Sequence, residues 1–355
     1  MKIRLIGQAN DSGIGTHYYY YCQAIQQMAG INQYIELIDY TNNELLNRVI
    51  RESQPEDINI SFITFDLNKY FKGTNIIWSV FESTIIPEQL LHILKQHKLW
   101  IPSEWGKKIA ISNGINSNLI DIVPEGVDIN LYNPYLKPRT DDIIRFLLIG
   151  KYEIRKSVNE CLEAFASVYG NNPKYELIVK SDFFKDPTAK HNELTNKIKS
   201  LGVNNIHLRW GYQTREELIN LYRYSNIFLF PTKAEGWGLP LIEAAAVGLP
   251  LITTYYSAQT EFLQDIKTSC SFVPYELNDI NCDEYKSFYP ATDNNYGLWA
   301  TFTQEHLCQT LIDAVNNYSA LSRQAEKNSD IIRSKYSWAN SAIKSLETLR
   351  NRKLL

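Results

Sequence analysis

Short runs of apolar residues recur along this chain, separated by longer stretches with helical spacing, and that alternation most narrows what it can fold into. Ile3 to Ile6, Ile58 to Phe62, Ile76 to Val80, Lys98 to Ile101, Phe146 to Ile149, Glu176 to Val179 and Ile227 to Phe230 read as buried strands. Tyr18 to Met28, Glu88 to Gln96, Val158 to Val168 and Glu216 to Tyr224 carry their apolar residues at helical spacing. Strands alternating with helices imply parallel sheets covered on both faces, so the expected class is α/β. With 355 residues the chain exceeds one usual domain, and two domains of roughly 150 to 200 residues are expected. The boundary is predicted between Tyr132 and Arg145, a stretch with two prolines and almost no apolar periodicity. Residues 1–135 and 140–330 then form two doubly wound domains facing across a cleft, with ligands bound at the C-terminal ends of the strands.

Composition removes several classes of function. A hydrophobic share of 44% and a charged share of 21% are those of a globular protein rather than a disordered chain or a membrane bundle. The formal net charge of -3 gives no general attraction to nucleic acid, so any anion site has to be local. Cys22, Cys161, Cys270, Cys282 and Cys308 are scattered without a CxxC pair, which fits a reducing compartment. The six histidines show no metal-binding spacing and no D-x-D pair is present, so no metal is expected. The apolar start Ile3 to Ile6 is too short for a signal peptide, and no apolar run reaches the ~18 residues of a membrane span, so the expected location is the cytoplasm. Lys95, His97, Lys98, Trp100, Trp105, Lys107 and Lys108 form a basic and aromatic patch. It admits two readings, contact with anionic lipid at the inner face of a membrane or a solvated surface over two buried tryptophans, the second being commoner.

The most specific stretch runs from Pro231 to Pro250. It leaves the strand Ile227 to Phe230, turns through Gly236 and Gly238, and enters a helix with Pro240 near its first turn, where a missing N–H does no harm. Free N–H groups and the helix dipole make such a turn an anion site. Glu235 lies in the turn and Glu243 about one turn inside the helix. Two carboxylates beside an anion site suit a sugar ligand, whose hydroxyls are donors.

The run Glu235-Gly236-Trp237-Gly238-Leu239-Pro240-Leu241-Ile242-Glu243 resembles the E-x7-E signature of retaining glycosyltransferase family four, in which the third residue is commonly Phe. Gly150-Lys151-Tyr152-Glu153-Ile154-Arg155-Lys156-Ser157, before the helix with Leu162 and Phe165, is similar to the family's G-R-x-x-x-x-K-G segment. Val123-Pro124-Glu125-Gly126-Val127-Asp128 with Asn133-Pro134, and Trp100-Ile101-Pro102-Ser103, resemble two further stretches of it. The chain departs from the pattern at Lys151, where Arg is usual, and at Ser157, where Gly is usual. Lys151 keeps the charge without the planar fork that grips phosphate in pairs of bonds. The first domain is also short for the family.

The resemblance implies the GT-B fold, two Rossmann-like domains, with residues 331–355 as a C-terminal helix crossing back to the first. It implies a retaining transferase using a nucleotide diphosphate sugar donor, with Glu235, Lys151 and Lys156 as catalytic residues. Donor-binding candidates are Gly13 and Gly15 in the loop after the first strand, Arg155, Lys180, Gly236, Trp237, Gly238, Leu239 and Glu243. Glu82, in Phe81-Glu82-Ser83-Thr84, is a candidate for orienting the acceptor or sugar, with helix capping by Ser83 or Thr84 as the rival role for that cluster. The acceptor is a glycan, a lipid-linked glycan or a small molecule, and no cofactor beyond the donor is expected. Two other functions fit the same motifs: a non-catalytic nucleotide-sugar-binding subunit, which has no need of Glu235, and a nucleotide-sugar epimerase.

Overall fold

The computed structural model describes residues 1–10, 12–62, 70–134, 142–183, 185–289 and 294–355. Asp11 of the glycine-rich loop, and 135–141 within the expected boundary, lie outside them. The described residues form two compact units, one built chiefly from 1–128 and 335–355 and the other from 129–289 and 295–334.

The first unit runs β1 (Ile3–Gly7), α1 (Gly13–Gln26), β2 (Ile35–Asp39), α2 (Asn43–Glu52), β3 (Ile58–Phe62), β4 (Thr74–Trp78), α3 (Glu88–Leu94), β5 (Lys98–Ile101), α4 (Glu104–Ser112) and β6 (Ile120–Ile122). The strands form one parallel sheet in the order β2-β1-β3-β4-β5-β6. The order reverses between β1 and β3, so this doubly wound sheet has its switch point there. Leu46 and Val49 of α2 cover Ile6 and Ile38, while Leu94, Ile109 and Ala110 of α3 and α4 pack with Ile77, Leu99 and Ile101. Ser103 explains why β5 gives way to a helix: its hydroxyl accepts the Gly106 N–H at 3.0 Å and caps α4.

The second unit runs β7 (Ile144–Ile149), α5 (Val158–Tyr169), β8 (Tyr175–Ser181), α6 (Pro187–Ser200), β9 (Ile206–Trp210), α7 (Arg215–Tyr224), β10 (Ile227–Phe230), α8 (Leu239–Val247), β11 (Leu251–Thr253), α9 (Thr260–Leu263), β12 (Cys270–Phe272), β13 (Glu276–Asp279), α10 (Asp283–Phe288), β14 (Leu298–Thr301), α11 (Gln304–Asn316) and α12 (Tyr318–Lys335). Its parallel sheet has the order β12-β11-β10-β7-β8-β9, the Rossmann order, with the switch point between β7 and β10. The central strands β7 and β10 are mostly apolar because both faces are covered. Phe165 of α5 and Leu307 and Leu311 of α11 pack with Phe146, Leu148, Leu177 and Leu229. The antiparallel pair β13–β14 stands outside this sheet.

The last helix, α13 (Trp338–Asn351), belongs to the first unit and packs on α1. Tyr21 and Ser345 share a hydrogen bond of 2.7 Å, and the Trp338 ring stacks on Tyr20 and His17. Burying Trp338, Leu346 and Leu349 stabilises this packing by about 1.5 to 3 kcal/mol each. Gly126 is needed here because a Cβ on it would lie 2.5 Å from the Trp338 nitrogen.

Candidate functional site

The two segments richest in motif residues leave the two strands that flank the second unit's switch point. Gly150 to Ser157 follows β7, and Pro231 to Gly238 follows β10. Gly238 caps α8 at φ 96°, a left-handed conformation that favours glycine, and Pro240 sits in the first turn of the helix. The turn is tied down at Glu235, whose N–H donates to the Ser257 hydroxyl at 2.8 Å and whose carbonyl accepts from Ala258 N–H at 3.3 Å.

The Glu235 carboxylate is buried and held by two cations. Lys156 Nζ donates to Oε1 at 2.7 Å and to Oε2 at 2.9 Å, and Arg155 Nη1 donates to Oε1 at 3.0 Å. Arg155 also donates to the Ala234 carbonyl at 2.6 Å and to Glu153 at 2.7 Å. Burial pushes the Glu153 carboxyl up, but the charges of Arg155, Lys156 and Lys151 outweigh it and hold the group below the usual carboxylate range. Glu153 and Glu235 thus face Arg155, Lys156 and Lys151, an excess of one positive charge that suits an anion. Arg155, expected to meet the donor directly, is engaged with the protein itself and sets the orientation of Glu235.

Ser157, the departure from the family's Gly, adopts φ 54° and ψ 34° as the residue before α5. Its hydroxyl is buried and has no hydrogen-bond partner among the described residues. A side chain in this left-handed conformation costs about 1 to 2 kcal/mol, part of which glycine gives back through its freer unfolded chain. Ser157→Gly is therefore expected to raise stability by about 1 kcal/mol, read as a higher urea midpoint with an unchanged slope. A lower midpoint would show that the serine side chain stabilises the turn.

Glu243 lies one turn into α8 and is buried, and its Oε2 accepts the Tyr222 hydroxyl at 2.7 Å. Burial first, and the Glu243 charge next, push the Tyr222 phenol well above its ordinary range, so it acts as a neutral donor that orients the carboxylate. Sequence reasoning missed Tyr222, because nothing in the spacing of α7 marks which residue meets α8. If Glu243 binds the donor, as the resemblance implies, Tyr222→Phe is expected to weaken nucleoside diphosphate binding about three- to tenfold, the worth of about 1 kcal/mol in orienting Glu243. Equal affinity by titration calorimetry would show that Glu243 needs no such support.

The remaining expected residues fall in distinct places. Lys151 follows β7, half-buried, at the edge of the cluster. Lys180, at the end of β8, is paired with Asp182 at 2.5 Å. The Trp237 ring packs in the interior against Phe262, 5.3 Å between centroids. Gly236 is buried and Leu239 opens α8. In the first unit Gly13 and Gly15 lie inside α1, which begins at Gly13, several residues before the helix expected from Tyr18. Ser12 explains the early start, since its hydroxyl accepts the Gly15 N–H at 3.0 Å. A Cβ on Gly15 would lie 2.2 Å from Asn10 Oδ1, whereas one on Gly13 would meet nothing within 4 Å among the described residues. Glu82 is half-buried after β4. Neither Ser83 nor Thr84 caps α3, whose N-cap is Pro87; Ser83 instead accepts the Ile85 N–H at 3.2 Å. In the basic patch Trp100 is fully buried and Trp105 half-buried. Among the described residues no group of His, Cys, Asp and Glu is placed to hold a metal ion, and no helix is long and apolar enough to cross a membrane.

Residues 136–281 match the model of the family described as glycosyl transferases group 1. Mannosylfructose-phosphate synthase of Agrobacterium fabrum is 23% identical over 187 residues, 49% of this chain and 41% of that protein. A D-inositol 3-phosphate glycosyltransferase of an Arthrobacter species is 24% identical over 187 residues, 50% of this chain and 44% of that protein. The matched part thus spans less than half the length of either relative. Anabaena Alr3699/HepE, solved in complex with UDP-glucose, superposes with a TM-score of 0.72 at 13% identity over 99% of this chain and 100% of that one. The two Rossmann-like units have the GT-B fold.

Proposed function

We propose, on the premise that the chain belongs through residues 136–281 to the glycosyl transferases group 1 family, that it is a retaining glycosyltransferase moving a sugar from a nucleoside diphosphate to a hydroxyl acceptor. The observation that carries this is the Glu235 carboxylate held between Lys156 and Arg155 at a sheet switch point, with Glu243 one helical turn further on. In this reading Glu243 accepts hydrogen bonds from the donor ribose. Lys151 and Lys156, with the N-terminus of α8, stabilise the departing diphosphate, so that no metal ion is required. Three of the roughly four acceptor positions of Glu235 are already filled by Lys156 and Arg155. Among the described residues the fourth, on Oε2, has no donor and is left to a sugar hydroxyl.

Transfer breaks the bond between the anomeric carbon and the diphosphate oxygen, which keeps the electron pair. The acceptor hydroxyl attacks from the same face, and its proton passes to the departing phosphate oxygen, so configuration is retained without a covalent enzyme intermediate. Both relatives described above are named with a phosphorylated small molecule, and such acceptors belong beside glycans and lipid-linked glycans in a screen.

A thermal-shift panel of UDP, GDP, ADP and their sugars tests the reading. A ligand at about a hundred times its dissociation constant stabilises the native state by about 2.7 kcal/mol, so one nucleoside diphosphate is expected to raise Tm by several degrees. If none does, the donor site is misassigned. Binding without any donor hydrolysis by the wild type would favour a non-catalytic nucleotide-sugar-binding subunit.

A further inference from the structure

Lys233 lies in the turn after β10, and the donor-site reading gives it no part. We infer that Lys233 is a positioning residue that, with Glu160, clamps the turn carrying Arg155 and Lys156 against the turn carrying Glu235. The inference rests on the reading above for its effect on turnover, though not for the clamp itself.

Its Nζ donates to Glu160 Oε1 at 2.5 Å and to the Ile154 carbonyl at 3.1 Å. Its backbone N–H donates to the Arg155 carbonyl at 2.8 Å, and its own carbonyl accepts from Ala300 N–H at 3.0 Å, which ties the turn to β14 as well. Arg155 returns the contact through its bond to the Ala234 carbonyl. Each turn therefore grips the other by a side chain and by a backbone group. Glu160 stands in the first turn of α5, so the far end of the clamp is a helix packed in the core of its unit.

The segment that needs holding is short. Ile154–Lys156 is a single 3-10 turn, closed by Lys156 N–H donating to the Glu153 carbonyl and Ser157 N–H to the Ile154 carbonyl, and followed by the left-handed Ser157. Lys156 reaches Glu235 only if that turn stays in register, and a displacement of about 1 Å at a reacting centre can cost a hundredfold in rate. An exposed ion pair would add little, but the Lys233 side chain is only 10% exposed, and it bonds a backbone carbonyl as well as a carboxylate. With its ammonium committed to Glu160 and Ile154, Lys233 acts through Lys156 and Arg155 rather than on the donor.

The test compares the wild type with Lys233→Met, Lys233→Arg, Glu160→Gln and the Lys233→Met/Glu160→Gln double variant, all as the full chain. UDP-glucose is the turnover probe, and hydrogen exchange of the Lys156 and Ser157 amides is read without any ligand. Lys233→Met is expected to speed exchange at both amides at least about tenfold, and to lower kcat at least about tenfold while KM changes less than about threefold. Lys233→Arg, which can reach both acceptors, should recover at least half of the turnover. The double variant should be no slower than Lys233→Met, since both changes break one interaction. Unchanged exchange in Lys233→Met overturns the clamp whatever the donor is, and a loss confined to KM would make Lys233 a donor ligand instead. If Lys233→Met does not fold, Glu160→Gln decides by the same exchange measurement, its side chain being one-third exposed. Wild-type protein that neither binds nor hydrolyses any nucleotide sugar would sink the donor-site reading and leave the exchange result standing on its own.

Discussion

Glu235→Gln is expected to lower sugar transfer by at least about a hundredfold, the scale of losing one preorganised electrostatic partner, while binding of the free nucleoside diphosphate holds or tightens. The two halves of this result have different causes. Transfer falls because the carboxylate, fixed by Lys156 and Arg155, loses the charge that would favour a cationic anomeric carbon as the diphosphate leaves. Affinity for the diphosphate holds because the same substitution removes a negative charge that occupies Lys156 in the unliganded protein. The amide is nearly isosteric and still accepts hydrogen bonds, so the turn after β10 should keep its shape. Near-normal transfer by a folded Glu235→Gln protein, measured with its own donor and acceptor, would make this carboxylate structural. A sharp loss of diphosphate affinity would instead mean that Glu235 organises the phosphate site as a whole.

Which elements were legible in the sequence follows from how each one is buried. β1, β3, β7 and β10 lie in sheet interiors and are almost wholly buried, so their apolar residues stand out even where buried Arg4, Asn59, Ser61 and Arg145 interrupt the runs. β2 reads Ile-Glu-Leu-Ile-Asp at the edge of its sheet, and β9, Ile-His-Leu-Arg-Trp, is likewise an edge strand. Half-exposed strands carry polar residues and lose the signal. β6, β11 and β12 have only three residues each, too few for any period to show. The pair β13–β14 escaped because its strand Glu-Leu-Asn-Asp is exposed along its length and pairs across a long intervening segment.

The site divides along a similar line. Glu235 and Glu243 stand out as candidates because two glycines, a proline and a strand end constrain the turn that carries them, whereas Lys151 and Lys156 are candidates through the family resemblance. The partners that fix those side chains were not legible. Tyr222 meets Glu243 through the packing of α7 on α8, and Ser257 meets the Glu235 N–H from the loop after β11, where it sits at φ 62°. Such contacts depend on which faces of distant elements meet, and a single sequence does not encode that as a local pattern. Arg155 was visible as a basic residue, but its commitment to Glu153, Ala234 and Glu235 was not.

Lys156→Ala should produce the second large effect, a fall in kcat of about a hundred- to a thousandfold with a smaller change in donor KM. The wild-type geometry predicts an additional signature that a simple loss of one phosphate ligand would lack. With Lys156 gone, Glu235 keeps Arg155 but loses two of the three hydrogen bonds from the pair, those at 2.7 and 2.9 Å, and its charge is then set against any incoming diphosphate. Affinity for the free nucleoside diphosphate should therefore drop further than the missing cation alone requires. Adding Glu235→Gln to Lys156→Ala should restore part of that affinity while leaving transfer as low as in the worse single variant. The same pairing bears on stability, since Lys156→Ala leaves the buried Glu235 with Arg155 alone, at a cost below the roughly 3 to 5 kcal/mol of a fully stranded buried charge, and the double variant should melt above Lys156→Ala. A double-mutant cycle on nucleoside diphosphate affinity measures the coupling directly. If the two substitutions add without coupling, Lys156 and Glu235 act independently on the donor, and their pairing in the unliganded protein has no bearing on how the diphosphate is received.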